Sequence, residues 1–167
     1  RALLLGSGPD LTPWSLCDFP IAPVVEWHRG NLIAAGIRDL RIIHSDFPAN
    51  TLGMMVEATD WLLQEDSLIL ESDQAFSPSL LRAMAAGTGD IELAYQPSCG
   101  SRTLTGEHRQ TATGLKIECR ADGTLANVLP QRTRAHRESG FSLGLWRMTP
   151  GGWRSILELL AELDGEE

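Results

Sequence analysis

The sequence predicts an α/β protein with an open, mostly parallel sheet and helices on both of its faces. Two observations and one rule of chain topology lead to this prediction. Short apolar runs alternate with longer segments of helical periodicity from residue 2 to residue 95. Turn-forming residues or charges separate these segments. The alternation of strand and helix requires crossover connections, and these place successive strands parallel in one sheet.

Four short apolar runs are predicted as buried strands, because each is bounded by turn residues or by charges. They cover residues 2–5, 40–43, 67–70 and 91–95. The first run stops at Gly6-Ser7-Gly8-Pro9, which predicts a tight turn. The third run is followed directly by Glu71-Ser72-Asp73, so acidic groups are expected at the end of that strand.

Three helices are predicted between these strands, at residues 26–35, 51–64 and 77–86. Gly36 is a typical stop for the first of them. Ser77 and Pro78 supply a cap and a first-turn proline for the third. The middle segment carries an apolar stripe at helical spacing that is broken only by Thr59. The prolines between residues 9 and 23 exclude regular structure before the first helix.

The pattern changes after Pro97, where a polar stretch predicts a loop. Apolar runs at 114–119 and 124–129 flank Ala121-Asp122-Gly123, which indicates a β-hairpin with Asp-Gly at its turn. A strand at 140–148 precedes a last helix capped by Thr149-Pro150. The full prediction is a three-layer, Rossmann-like open sheet, mostly parallel, with a β-hairpin excursion, in a single domain over residues 1–167.

Composition and charge limit the classes of function. The formal net charge of -8 disfavours nucleic-acid and anionic-membrane partners, since these require clustered Lys and Arg. No apolar run approaches the roughly 20 residues that a membrane span needs. The odd number of cysteines, without metal-binding spacing, suits a reducing compartment, so we expect a cytoplasmic protein. The chain begins at Arg1 rather than Met, and a fragment or one domain of a larger fusion is an alternative to a whole protein.

Two predicted strand ends carry groups that can do chemistry. In open α/β sheets, ligands bind at the carboxyl ends of the strands. After the first strand, the small residues Gly6, Ser7 and Gly8 let backbone N–H groups approach a phosphate. After the third strand, Glu71 and Asp73 are well placed to hold a divalent cation, usually Mg²⁺. The alternative interpretation of both segments is an ordinary structural turn.

The order of these segments resembles the nucleotidyltransferase family, closest to the phosphocholine and phosphonate cytidylyltransferases. Residues 3–8, LLLGSG, with Leu11 and Pro13, are similar to the family's glycine-rich opening signature. Residues 68–81, LILESDQAFSPSLL, resemble its metal-binding element. Residues 34–39, AAGIRD, and 139–144, SGFSLG, resemble the end of its first helix and its late strand. The resemblance extends from residue 1 to about residue 163.

The resemblance implies transfer of CMP from CTP to a small phosphorylated alcohol or phosphonate, with Mg²⁺ as cofactor and release of pyrophosphate. It implies that Gly6 and Gly8 contact phosphates or base and that Asp73, with Glu71, holds the metal. It places Arg132 and Arg134 near the acceptor phosphate, the alternative being a solvated basic surface. Trp14, in the proline-rich segment, is a candidate for stacking on the base.

Two positions depart from the family pattern. Asp10 stands where the loop usually carries Arg, and Ile21 follows Pro20 where the family has Lys. Both changes weaken an anion site, so a catalytically silent nucleotide-binding or scaffolding domain of the same fold is an alternative function. A metal-dependent glycosyltransferase is a second alternative, because Glu71-Ser72-Asp73 resembles an acidic nucleotide-sugar clamp. The sequence leaves open whether the chain forms a homo-oligomer or is fused to a further domain.

Overall fold

The computed structural model describes residues 1–7, 24–45, 51–72, 74–97, 116–129 and 139–164. The chain forms two compact units, the first made of Arg1–Glu92 with Leu145–Glu167 and the second of Leu93–Gly144. No helix within the described ranges combines the length and apolarity needed to cross a membrane.

The first unit holds most of the regular structure. Its elements are β1 (Ala2–Ser7), α1 (Val24–Ala34), β2 (Leu40–Ser45), α2 (Thr51–Glu57), α3 (Thr59–Leu62), β3 (Ser67–Glu71) and α4 (Pro78–Ala85), with the start of β4 (Ile91–Pro97). This unit also contains two later elements. They are the end of β7 (Ser139–Met148) and α5 (Pro150–Asp164). The second unit contributes β5 (Lys116–Cys119) and β6 (Leu125–Leu129).

The sheet of the first unit has the strand order β2-β1-β3-β7. Strand β1 pairs in parallel with both β2 and β3, whereas β3 pairs antiparallel with the end of β7. The prediction of an open, mostly parallel α/β sheet is therefore confirmed. Strand β4 does not extend the parallel series of β1, β2 and β3, although the alternation of strands and helices predicted this. It pairs with β7 instead. Pairing between strands this distant in sequence leaves no local pattern.

Burial in β1 shows that helices cover both faces of this sheet. Successive side chains of a strand point to opposite faces, yet Ala2, Leu3, Leu4 and Leu5 are all at most 2% exposed. One cluster of buried residues joins the strands to α2, α3 and α5; it contains Leu3, Leu5, Ile43, Met54, Met55, Ala58, Leu62, Ile69, Met148 and Trp153. Helix α4 contacts β3 and α1 contacts α4, outside that cluster.

The helix predicted at 51–64 is divided in the structure into α2 and α3. Ala58, which is fully buried, has φ −92° and ψ 14°, and this departure from helical geometry ends α2. The hydroxyl of the next residue, Thr59, accepts a hydrogen bond from Nε1 of Trp153 at 3.2 Å. The residue that breaks the apolar stripe thus makes a hydrogen bond to α5.

The predicted hairpin is present in the second unit, where β5 and β6 pair antiparallel. Gly123 takes a left-handed conformation, with φ 85°, at its turn. The Asp122 carboxylate accepts hydrogen bonds from the hydroxyl and the backbone N–H of Thr124, at 2.7 and 2.9 Å. These bonds hold the pKa of Asp122 below its usual value. Strand β5 also pairs antiparallel with the start of β7.

Candidate functional site

The carboxyl ends of β1, β2 and β3 lie at one edge of the parallel part of the sheet. Leu5 of β1 is the register partner of both Ile43 of β2 and Glu71 of β3. The backbone N–H of Ser72 donates to the carbonyl of Leu5 at 2.9 Å, so the pairing of β1 with β3 continues past Glu71. Gly6 comes one residue after Leu5. Strand β1 continues through Gly6 and Ser7, where the sequence predicted a turn. Gly6 and the acidic end of β3 are therefore neighbours at this edge, at the roughly 4.8 Å spacing of paired strands.

The sequence explains why both strands reach this edge. β1 and β3 are continuous apolar runs, as expected of strands covered on both faces. The apolar run of β3 ends at Glu71, opposite Leu5, and that of β1 ends one residue further along, at Gly6. Glu71 is less buried than the residues before it in β3.

The predicted site residues fall into two groups. Gly6 is buried, and Ser7 completes β1 with a backbone paired to Ser45 of β2. Glu71 closes β3 beside them. The other predicted site residues lie outside the described residues, and their roles stay predictions: Gly8, Trp14, Asp73, Arg132 and Arg134.

Helix α1 contacts the backbone that leaves β3. Nε2 of His28 lies 3.4 Å from the carbonyl oxygen of Ser72, a long hydrogen bond. Nδ2 of Asn31 donates to the carbonyl of Phe76 at 3.2 Å. His28 is 1% exposed, and its ring lies against those of Trp27 and Phe76, with centroids 5.3 and 6.1 Å away. Two polar side chains one helical turn apart therefore hold the connection between β3 and α4.

The chemistry of this contact determines the tautomer of His28. A carbonyl oxygen can only accept, so Nε2 carries the proton and Nδ1 is a bare acceptor. Nδ1 is buried and has no hydrogen-bond partner among the described residues. Burial lowers the pKa of His28, and the bond to Ser72 opposes this shift only in part. His28 is therefore neutral at neutral pH.

The far end of the same connection is fixed by the start of α4. Ser77 is the N-cap, and its hydroxyl accepts from the backbone N–H of Leu80 at 3.3 Å. Pro78 occupies the first turn, as predicted. Phe76, just before the cap, is 2% exposed and anchors the connection in the core.

Sequence reasoning did not single out His28 or Asn31. A signal was present, because polar residues at spacing i, i+3 that adjoin buried Leu32 share the inward side of a helix. Their partners are backbone carbonyls, which no residue type encodes. His28 and Asn31, which contact the connection after β3, were therefore harder to predict from the sequence than the candidate phosphate- and metal-binding residues.

Among the described residues, this edge carries the carboxylate of Glu71, an oxygen donor of the kind that hard cations such as Mg²⁺ prefer. Within the described ranges, no group of three or more His, Cys, Asp or Glu side chains could hold a metal. Mg²⁺ does not require such a cage, since it is usually bound by one or two carboxylates together with substrate phosphates and waters. Glu71, with Asp73 two residues later, would supply those carboxylates.

Comparison with known proteins identifies the architecture. No family model matches the chain, and no curated protein has a significantly similar sequence. Among solved structures, the chain is similar to the inositol-1-phosphate CTP transferase from T. maritima, with TM-score 0.62 and 16% identity, over 89% of this chain and 69% of that one. It is also similar to a CMP:2-keto-3-deoxy-manno-octonic acid synthetase complexed with CTP, with TM-score 0.65 and 12% identity, over 95% and 78%.

A third similar structure is a candidate glucose-1-phosphate thymidylyltransferase from Bacillus anthracis, with TM-score 0.61 and 8% identity, over 90% of this chain and 71% of that one. The first of these proteins is named as a CTP transferase and the third as a thymidylyltransferase. At these identities the similarity concerns the fold. The chain therefore has a nucleotidyltransferase-like fold.

Proposed function

We propose that this chain transfers CMP from CTP to a small phosphorylated alcohol or a phosphonate and releases pyrophosphate. The observation that carries the proposal is the register of β1 with β3, which brings Gly6 next to Glu71 at one strand edge. Two structures of the same fold support CTP as donor, since one is described as a CTP transferase and the other was determined with CTP.

The proposed step is a single displacement at phosphorus. An oxygen of the acceptor phosphate or phosphonate attacks the α-phosphorus of CTP and forms the new P–O bond. The bond from that phosphorus to the bridging oxygen breaks, and pyrophosphate leaves with the electron pair. The protein supplies no covalent nucleophile, so catalysis rests on positioning and on neutralising developing charge.

The chain's own residues take three tasks in this proposal. Backbone N–H groups around Gly6 and Gly8 receive phosphate oxygens, because glycine permits a close approach. Asp73 and Glu71 hold Mg²⁺, which when bound offsets phosphate charge. Arg132 and Arg134 neutralise the acceptor phosphate, as the family resemblance implies. Trp14 stacks on the base, an assignment that rests on its place in the segment after β1.

A second candidate, a nucleotide-binding domain without turnover, is favoured by Asp10 and Ile21. Each replaces a cation that the family uses near the triphosphate. A lost charge-assisted contact removes roughly 1.5–3 kcal/mol of binding, and a carboxylate adds repulsion. The net charge of -8 offers no general attraction for CTP in compensation.

The two candidates are separated by measuring pyrophosphate release and CTP binding together. The protein is incubated with Mg²⁺, CTP and a panel of phosphorylated alcohols and phosphonates. Release with at least one acceptor supports the transferase, and CTP binding without release supports the silent domain. Binding of UDP-sugars without binding of CTP would overturn both in favour of a glycosyltransferase.

Variants locate any activity at the strand edge. Asp73→Asn should lower turnover about 100-fold or more, because several kcal/mol of charge stabilisation is lost. Glu57→Gln, which removes an exposed carboxylate at the end of α2, is the matched control and should leave turnover unchanged. Equal effects of both changes would argue against a site at β3.

The loop departures can be reversed directly. Asp10→Arg combined with Ile21→Lys should raise CTP affinity about 10-fold or more, by the size of one restored charge-assisted contact. Calorimetry measures the change. An unaltered affinity would mean that the glycine turn does not contact the triphosphate.

A further inference from the structure

We infer that the Asp122–Gly123 pair is a latent site of isoaspartate formation, and that hydrogen bonds within the hairpin turn hold the reaction in check. The chain contains two Asp-Gly pairs, at residues 122–123 and 164–165. Only the first lies wholly within the described residues, at the turn between β5 and β6. Because the reaction requires neither nucleotide nor metal, its outcome does not depend on the proposed function.

The reaction joins the backbone nitrogen of Gly123 to the side-chain carbon Cγ of Asp122. The nitrogen attacks Cγ of the protonated carboxyl group and gives up its own proton, a C–O bond breaks, and water leaves. The product is a cyclic succinimide. One water molecule then opens the ring at either of its carbonyls, and the residue becomes aspartate again or isoaspartate. In isoaspartate the main chain runs through the side-chain CH₂ group, so it is longer by one carbon.

The two residues of the pair offer little steric resistance to this ring closure. Both Asp122 and Gly123 are exposed. Gly123 has no Cβ to shield its nitrogen, and a Cβ placed there would find nothing within 4 Å. The φ of 85° at Gly123 is one that favours glycine, so the turn itself selects the residue that makes the preceding aspartate reactive.

Hydrogen bonds in the folded turn oppose each part of the reaction. Oδ1 of Asp122 accepts from the hydroxyl of Thr124 at 2.7 Å and from its backbone N–H at 2.9 Å. These two bonds favour the ionised carboxylate and hold the pKa of Asp122 below its usual value. An ionised carboxylate is a poor target, since its oxygen cannot leave as water. The Gly123 N–H, whose proton must be lost, donates to the carbonyl of Arg120 at 2.9 Å.

The Thr124 hydroxyl is itself held in place by Arg120. The Arg120 guanidinium donates to Oγ1 of Thr124 at 3.3 Å and to the carbonyl of Leu125 at 3.2 Å. The hydroxyl therefore accepts from Arg120 and donates to Asp122. Thr124 is thus the residue whose side chain restrains the carboxylate.

Isoaspartate at position 122 would disrupt the hairpin. The added main-chain carbon lies between Arg120 and Thr124, which are joined by a hydrogen bond from the Arg120 N–H to the Thr124 carbonyl at 2.8 Å. A longer connection changes the register in which β6 meets β5.

The test uses Thr124→Val, which keeps a branched side chain and removes the hydroxyl, and Thr124→Ser, which keeps the hydroxyl. Ile117→Val is the matched control. Ile117 is 2% exposed in β5 and pairs with Val128, so its loss of a methylene weakens the packing of the hairpin without touching the turn. Each protein is held at neutral pH with and without concentrated urea and is then digested. Isoaspartate at position 122 is separated by chromatography and quantified by mass spectrometry.

In urea, isoaspartate should form at position 122 in all four proteins, at about the rate seen at position 164. Without urea, the wild-type rate at position 122 should be lower than in urea. Thr124→Val should raise this rate about 3- to 10-fold, the effect expected when one exposed hydrogen bond is lost. Thr124→Ser and Ile117→Val should react at the wild-type rate.

Equal wild-type rates with and without urea would overturn the restraint by the turn. A wild-type rate in Thr124→Val would overturn it too, as would an equal acceleration in Ile117→Val, because the effect would then follow the stability of the hairpin. Absence of isoaspartate at position 122 in urea would overturn the latent site itself. Each of these outcomes leaves the proposed nucleotidyl transfer untouched.

Discussion

Two adjacent glycines in the first turn of α5 should respond in opposite ways to the same substitution. A Cβ added at Gly152 would lie 2.5 Å from the carbonyl oxygen of Asp90 and 2.8 Å from Cγ1 of Ile91. A Cβ added at Gly151 would find its nearest neighbours at 3.6 and 3.7 Å, which is ordinary contact. The Asp90 carbonyl cannot move freely, because it accepts the backbone N–H of Thr149 at 2.9 Å.

The magnitude follows from two terms. Replacing a helical glycine by alanine gains about 0.5–1 kcal/mol, because the unfolded chain loses conformational freedom. Both variants share this term, so it cancels in their difference. Only Gly152→Ala adds an overpacking cost of about 1–3 kcal/mol against backbone atoms. We therefore expect Gly151→Ala to be more stable than wild type, and Gly152→Ala to lie about 1–3 kcal/mol below Gly151→Ala.

Urea unfolding followed by tryptophan fluorescence measures both variants, since Trp153 is fully buried next to the substituted turn. The slope of unfolding free energy against urea should be the same in all three proteins, so that midpoints can be compared. Equal stability of the two variants would show that α5 does not pack on Asp90 as closely as described.

Three further predictions concern single side chains. Thr149→Ala should cost about 1 kcal/mol in thermal unfolding, because its hydroxyl caps α5 by accepting from the Gly152 N–H, whereas Thr149→Ser should be nearly neutral. Arg147→Met should cost about 1–3 kcal/mol in urea unfolding, since the buried guanidinium donates to the carbonyl of Gly89; Asp66→Asn should cost under about 1 kcal/mol, because that partner is half-exposed. His28 has a lowered folded pKa, so the unfolded chain binds its proton more tightly. The contribution of neutral His28 to the free energy of unfolding should be fully present above about pH 6.5. Below that pH the free energy of unfolding should fall by at most about 1.4 kcal/mol per pH unit, and His28→Gln should lack this pH dependence.

The local architecture was predictable where a segment carries its own signal. β1 and β3 were identified from their apolar runs, although β1 continues through Gly6 and Ser7, where a turn was predicted. Gly36, with φ 89°, ends the turn after α1 as expected. The division of the segment 51–64 was not predicted, because Thr59 finds its partner in Trp153, 94 residues away. The place of β7 beside β3 was missed for the same reason, since long-range pairing depends on the whole chain.

The candidate site shows the same limit. That Gly6 and Glu71 lie at one edge agrees with the rule that the carboxyl ends of parallel strands share an edge. Their adjacency depends on the order of the strands, which no local pattern specifies. The contacts of His28 and Asn31 did not follow, because their acceptors are carbonyls that every residue possesses. The assignments of Asp73, Arg132 and Arg134 rest on the resemblance and remain predictions.

The strand edge is assembled from main-chain bonds, such as the one from the Ser72 amide to the Leu5 carbonyl. Its shape therefore does not depend on which side chains the connecting segments display. Under the proposed function, changes of side chain in the segments that follow β1 and β3 would alter reactivity without altering the main-chain bonds that form this edge.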